Sequence, residues 1–202
     1  MIDFIVQKKS QFMMSRLAKR VLWTNTTTTL ETRLAQATSR LKTSGHTVAL
    51  AETSSGGMMA TALLARRGAS AYFRGGVVTY SRPSKAALLG LDEKSTKPTA
   101  TEAHALELAD AIRSSLGSDW AIGETGVAGP TANSRGIAPG VCALAVVGPD
   151  GVRRTTMLWP EDGLNAADAY GQAPKIPRDE AMQRFATAGL ELLCDAVDEH
   201  NA

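Results

Sequence analysis

Apolar positions recur at helical spacing from Leu30 onward: Leu30, Leu34, Ala37 and Leu41 share one face, and Gly45 supplies a stop. HTVALAE then reads as a short buried strand. Beyond it MMATALLA predicts a packed helix, and SAYFRGGVVTY a strand with a bulge or bend at its glycine pair. PSKAALLG has the marks of a short helix, with Pro83 in its first turn and Gly90 past its end. Thr99 and Glu102 have capping-box spacing ahead of a helix whose apolar face is Ala105, Leu108, Ala109, Ile112 and Leu116. DWAIGETG returns to strand. The clearest hairpin is VCALAVV, GPDG, VRRTTMLW, with Asp150-Gly151 at its turn. The chain closes on a helix presenting Met182, Phe185, Ala186, Gly189, Leu193 and Ala196 on one side.

Strands alternating with amphipathic helices predict an α/β domain: a three-layer α/β/α sandwich with a mixed, mostly parallel sheet and one antiparallel hairpin. This domain occupies 30–202. Two stretches escape the pattern. Residues 1–29 mix basic, hydroxylated and apolar side chains and end in four threonines, which fits either a loosely docked N-terminal extension or a mitochondrial transit peptide. Residues 160–179 are rich in Pro, Gly, Ala and acid without periodicity, as expected of a surface insertion. The expected location is cytoplasmic, or mitochondrial on the transit-peptide reading.

Charge narrows the partners. The formal net charge is +2, but Lys8, Lys9, Arg16, Lys19 and Arg20 concentrate basic charge in the first 30 residues, leaving the remainder slightly acidic. A body of that kind has no stripe for a phosphate backbone, so no nucleic-acid partner is expected. No apolar run reaches membrane-spanning length, so no membrane partner is expected either. Cys142 and Cys194 lack metal-ligand spacing and read as buried thiols, with no disulfide and no metal site. His46, His104 and His200 are scattered, each better explained at a surface or boundary than as a general base.

In α/β sheets ligands sit outside the carboxyl ends of strands, which directs attention to three loops. The first, AETSSGG, runs from a strand into a helix and offers Glu52, Thr53, Ser54, Ser55, Gly56 and Gly57; its amides and the helix dipole favour an anion. Helix capping alone also accounts for the individual hydroxyls. The second, VTYSRPSK, carries Tyr80 and Lys85, and a desolvated lysine can serve as the base a hydroxyl nucleophile needs. The third, ETGVAGP, supplies Thr125, Gly126, Ala128 and Gly129, small residues that keep a cleft open, although a tight turn would use them too.

Together AETSSGG, GASAYFRGGVVTYSRPSKAALLG, TGVAGPTANSRG and APGVCALAV resemble the CinA C-terminal family, from about Leu30 to the end of the chain. Members of that family typically read AESCTGG, GSSAYFxGGVVTYSNxxKxxLLG, TGIAGPxGG and PVGTV at these places, and they include nicotinamide-mononucleotide deamidases. The resemblance implies hydrolysis of the nucleotide's carboxamide to the acid and ammonia through a Ser/Thr-Lys mechanism, with no metal and no organic cofactor. It implies Lys85 as base, with Tyr80 and Thr125, also at family positions, orienting the carboxamide or its leaving ammonia. Glu52, Gly56, Gly57, Gly126, Ala128 and Gly129 are expected around the substrate, and homo-oligomerisation is implied as well.

The chain departs from the pattern where the chemistry is sharpest. The family's nucleophilic serine is Thr53 here and its threonine is Ser55, so the hydroxyls at the two positions are exchanged. The threonine methyl restricts χ1 and crowds attack. Three outcomes are compatible with this: Thr53 attacks, Ser55 has taken over, or the chain binds nucleotide without turnover. After Trp159 the family's GDRxxVR helix start is replaced by the insertion, and Arg178 or Arg184 is either the stand-in for its phosphate-gripping arginines or a solvated helix-terminal arginine. RGIAPG also lacks the family's Lys-Pro-Val.

Overall fold

The computed structural model describes residues 30–92, 97–160 and 176–201. The extension at 1–29 and most of the 160–179 stretch lie outside these residues. Helix α1 (30–44) ends at Gly45, whose φ of 72° is the left-handed stop the sequence predicts. There follow β1 (Val48–Glu52), α2 (Met58–Leu64), β2 (Phe73–Val78), α3 (Arg82–Leu89) and α4 (Glu102–Leu116). Strands β3 (Trp120–Gly126), β4 (Cys142–Val147) and β5 (Arg153–Leu158) lead to the closing helix α5 (Arg178–His200). Helix α5 therefore begins inside the stretch read as insertion.

The strands form one sheet in the order β2-β1-β3-β4-β5. β1 pairs parallel with β2 and β3, while β4 pairs antiparallel with β3 and β5. Only β4 thus runs against the others. Its hairpin with β5 turns at Asp150, where φ is 52°. The register slips between Val48 and Ala49, opposite Phe73 and Gly75, so the bulge falls at Arg74, beside the glycine pair.

Strand alternation sorts the residues between two helical layers. Val48 and Leu50 of β1, with Trp120 and Ile122 of β3, pack against α1, α2 and α5. Ala49, Ala51 and Ala121 face α4 and the end of α3. These two cores make the three-layer sandwich. Gly123 shows how close the α4 layer sits: a Cβ there would stand 2.1 Å from the Ala105 carbonyl oxygen. On the other face a Cβ at Gly189 of α5 would meet Met59 Sδ at 2.5 Å.

Two local expectations are corrected. The N-cap of α4 is Thr101, whose hydroxyl accepts from the His104 amide, so Thr99 and Glu102 form no capping box. Glu102 is instead the first helical residue and accepts from the Thr155 hydroxyl. Leu116, expected in the core, is 37% exposed and stands over the bulged edge beside Gly75. The two cysteines are buried free thiols, as read from their spacing.

Candidate functional site

Because β1, β2 and β3 are parallel, the three loops that follow them emerge at one edge of the sheet. Beyond β2, the Thr79 amide still donates to the Glu52 carbonyl, bringing the start of the second loop against the first. Ser54 Oγ donates to the Gly126 carbonyl at 2.6 Å, tying the first loop to the third. The expected convergence of the loops is therefore present.

The first loop is organised around carboxylates. Glu52 falls on the α2 face by strand alternation, and its carboxylate accepts from the amides of Gly57, Met59 and Ala60 at 2.9, 3.2 and 2.9 Å. It caps α2, so its position is explained by the helix and not by a substrate. Glu124, on the same face of β3, is fully buried and accepts from the amides of Thr53 and Ser55 at 2.8 and 2.9 Å. The donors expected to face a ligand are turned inward onto two side-chain carboxyls, and the Gly57 amide is used in the same way. Gly56 remains exposed at the turn, with Met182 against it.

Ser55 links these carboxyls. Its hydroxyl lies 2.8 Å from Glu52 Oε2 and 2.8 Å from Glu124 Oε2. Its single proton can point at only one of the two carboxyls at a time. Burial pushes the Glu124 pKa up, against the lowering effect of its backbone and hydroxyl donors. Ser55 itself is wholly buried, out of reach of a substrate. Thr53 sits nearer the surface at 7% exposure, its Oγ1 3.4 Å from Glu124 Oε1 and 3.5 Å from Ser54 Oγ. Of the two candidate nucleophiles, Thr53 is the one that keeps any solvent exposure.

Lys85 lies in the first turns of α3, whose start is fixed by Ser81, Pro83 and a reciprocal bond with Ser84. Its Nζ is 2.9 Å from His104 Nε2, so its hydrogen bond goes to α4 and not to Thr53, Ser54 or Ser55. His104 Nδ1 is in turn 2.9 Å from Glu107 Oε2. Burial lowers the Lys85 pKa, while Glu124 partly opposes that shift. Burial and the Lys85 charge lower His104, whereas its bond to Glu107 raises it. His104, placed at a surface or boundary from its spacing, is thus a buried partner of the lysine; the His104/Glu107 spacing on one helix face was the available signal.

The other candidates divide. Thr125 is fully buried on the α4 face and accepts from the Ala100 amide at 3.2 Å, which makes it a tie to the segment ahead of α4. Ala128 packs with Phe185 beneath α5, and Gly126 lies close against Phe185 and Cys142. Arg178, the first residue of α5, donates to the Gly129 carbonyl and, at 3.4 Å, to the exposed Tyr80 hydroxyl. It therefore joins the second and third loops. Arg184 reaches the Trp159 carbonyl instead. Among the described residues no His, Cys, Asp and Glu group could hold a metal, and no helix is long and apolar enough to cross a membrane.

Fold and site together define a three-layer α/β domain with hydroxyls, a half-buried lysine and paired carboxyls gathered at the carboxyl edge of its sheet. The model of the CinA C-terminal domain matches residues 30–196, and the chain belongs to that family. A CinA-like protein of Gloeobacter violaceus is 40% identical over 126 residues, covering 61% of this chain and 30% of the relative. Another, of Shewanella piezotolerans, is 37% identical over 152 residues, covering 69% and 35%. The matched region thus spans about a third of these curated relatives. The crystal structure of competence/damage inducible protein CihA from Agrobacterium tumefaciens superposes with a TM-score of 0.70 at 25% identity, covering 83% of this chain and 94% of that one. The Klebsiella pneumoniae CinA superfamily protein shares the fold, with a TM-score of 0.69 at 24% identity, covering 84% and 96%.

Proposed function

We propose that the chain is an amidohydrolase that deamidates nicotinamide mononucleotide, with Thr53 as nucleophile and Lys85 as base. The observation that carries the reading is a half-buried lysine, held toward its neutral form, at the strand-end edge where Thr53, the candidate nucleophile that keeps some solvent exposure, stands beside Glu124. Thr53 Oγ attacks the carboxamide carbon while its proton passes to Lys85. The C–N bond then breaks, the proton leaves with nitrogen as ammonia, and water hydrolyses the threonyl ester to the acid. Arg178 and Tyr80 flank the mouth as polar contacts for the nucleotide, Arg178 as the expected partner of its phosphate.

Ammonia release from purified protein and nicotinamide mononucleotide tests this. Wild type and Thr53→Ser should turn over, whereas Thr53→Ala and Lys85→Ala should fall by roughly a hundredfold or more. A silent wild type, or release undiminished in Lys85→Ala, overturns the reading. A second reading, a nucleotide binder without turnover, is favoured by one observation: Lys85 is bonded to His104 and not to a loop hydroxyl. Calorimetry showing nucleotide binding with no product over hours would select it.

A further inference from the structure

Most strand-end polar groups are accounted for by caps and ladders, but the chain Lys85–His104–Glu107 is not. It joins two helices through side chains alone, and it borders a surface hollow lined also by Arg82, Leu91 and Thr99. The imidazole is buried at 5% exposure and fully engaged, with Lys85 Nζ 2.9 Å from Nε2 and Glu107 Oε2 2.9 Å from Nδ1. Only one tautomer satisfies both contacts at neutral pH. Glu107, also bridged to Lys97 at 3.1 Å, must accept from Nδ1–H, which leaves the Nε2 lone pair to accept from the lysine.

Resting on the amidohydrolase reading for its kinetic arm, we propose that His104 is a positioning residue: locked by Glu107, its neutral Nε2 accepts from Lys85 and fixes where the amine stands and points. An amine donating to the imidazole directs its lone pair away from that ring, so the acceptor holds the base in one orientation. A freely rotating lysine stem would otherwise lose rotamer entropy at every turnover. Four charged groups on the surrounding elements set the balance: Arg82 on α3, Lys97 ahead of α4, Glu107 on α4 and Glu124 on β3. Protonation of His104 removes the acceptor and sets a cation against the ammonium. The link therefore fails on the acid side.

Two readouts separate this proposal from the reading it rests on. The first needs no turnover: the pH dependence of Lys85 acylation by a small amine reagent, followed by mass spectrometry. A neutral acceptor favours the ammonium, so His104→Leu, which removes the acceptor while keeping the amine covered, should lower the Lys85 midpoint by about half a pH unit or more, and His104→Ala is read beside it. His104→Gln, whose amide can place an acceptor near Nε2, should return toward wild type. Should His104→Leu fail to fold, His104→Asn, whose shorter amide falls short of the lysine, must lower the midpoint in the same direction. The second readout is ammonia release, where His104→Ala should cut kcat roughly tenfold or more with KM within about twofold, and His104→Gln should recover most of it. An unchanged midpoint across the variants overturns the proposal, as does full turnover in His104→Ala. A silent wild type with a shifted midpoint overturns only the amidohydrolase reading.

Discussion

Two clusters of titratable groups face each other across the carboxyl edge of the sheet, and they are built in opposite ways. On the α2 face, Glu52, Ser55 and Glu124 are saturated by backbone amides and sealed from solvent. On the α4 face, Lys85, His104 and Glu107 meet only through side chains and border a hollow. The first arrangement is fixed by the same amides that start a helix, so it cannot move without unwinding α2. The second can exchange protons and shift by rotamer changes alone. Burial and perturbed pKa values occur in both clusters, and what distinguishes the two is who supplies the hydrogen bonds.

The largest way to break this contrast is to empty the sealed cluster. Glu52→Ala removes the acceptor of three amides and of Ser55 in one step. Each donor stranded in a buried place costs about 1–3 kcal/mol, with partial relief where water enters. Thermal or denaturant unfolding should therefore show a loss on the order of 3–5 kcal/mol. Lys85→Ala, by contrast, should leave stability within about 1 kcal/mol. Comparable losses in the two variants would erase the distinction.

A smaller effect separates a tie from a reacting group. Thr125→Val keeps the shape of the side chain but strands the Ala100 amide, and should cost about 1–3 kcal/mol in unfolding. If Thr125 only joins β3 to the segment before α4, turnover per folded molecule should stay within about threefold of wild type. A collapse of kcat at unchanged stability would put its hydroxyl in the reaction, as the family resemblance implies.

The fold was legible because its layers rest on alternation. Val48, Leu50 and Glu52 share a face, and the Pro83 and Gly90 signals bracket α3 where the structure has it. What alternation could not show was the identity of partners across the chain. Ser55 was a candidate nucleophile because the loop's hydroxyls are exchanged relative to the family pattern, while the contact that buries it comes from Glu124, 69 residues away. His104 was set aside for want of a sequence-adjacent partner, yet its partner is 19 residues back on another helix. Thr99 had the spacing of a cap, but the cap fell on Thr101, one hydroxyl further along.

The pH dependence of stability sharpens the comparison furthest, because the two clusters carry opposite signs. Glu124 has its pKa raised in the folded protein, chiefly by burial. Between the ordinary carboxylate range and that raised value, the folded state holds a proton the unfolded chain has released, so stability falls as pH rises. Glu124→Gln cannot titrate, and the decline should disappear in that variant. His104 is lowered, chiefly by burial. From the ordinary histidine range downward the unfolded chain takes a proton the folded state refuses, so stability falls as pH drops, and His104→Gln should remove that loss. Each tenfold difference in proton affinity between the folded and unfolded chain is worth about 1.4 kcal/mol. Unfolding free energies from about pH 4 to 8 for wild type and the two glutamine variants would read both slopes. If both variants flattened the same side of the curve, the sealed and the open cluster would be one titrating unit, and the contrast between them would fail.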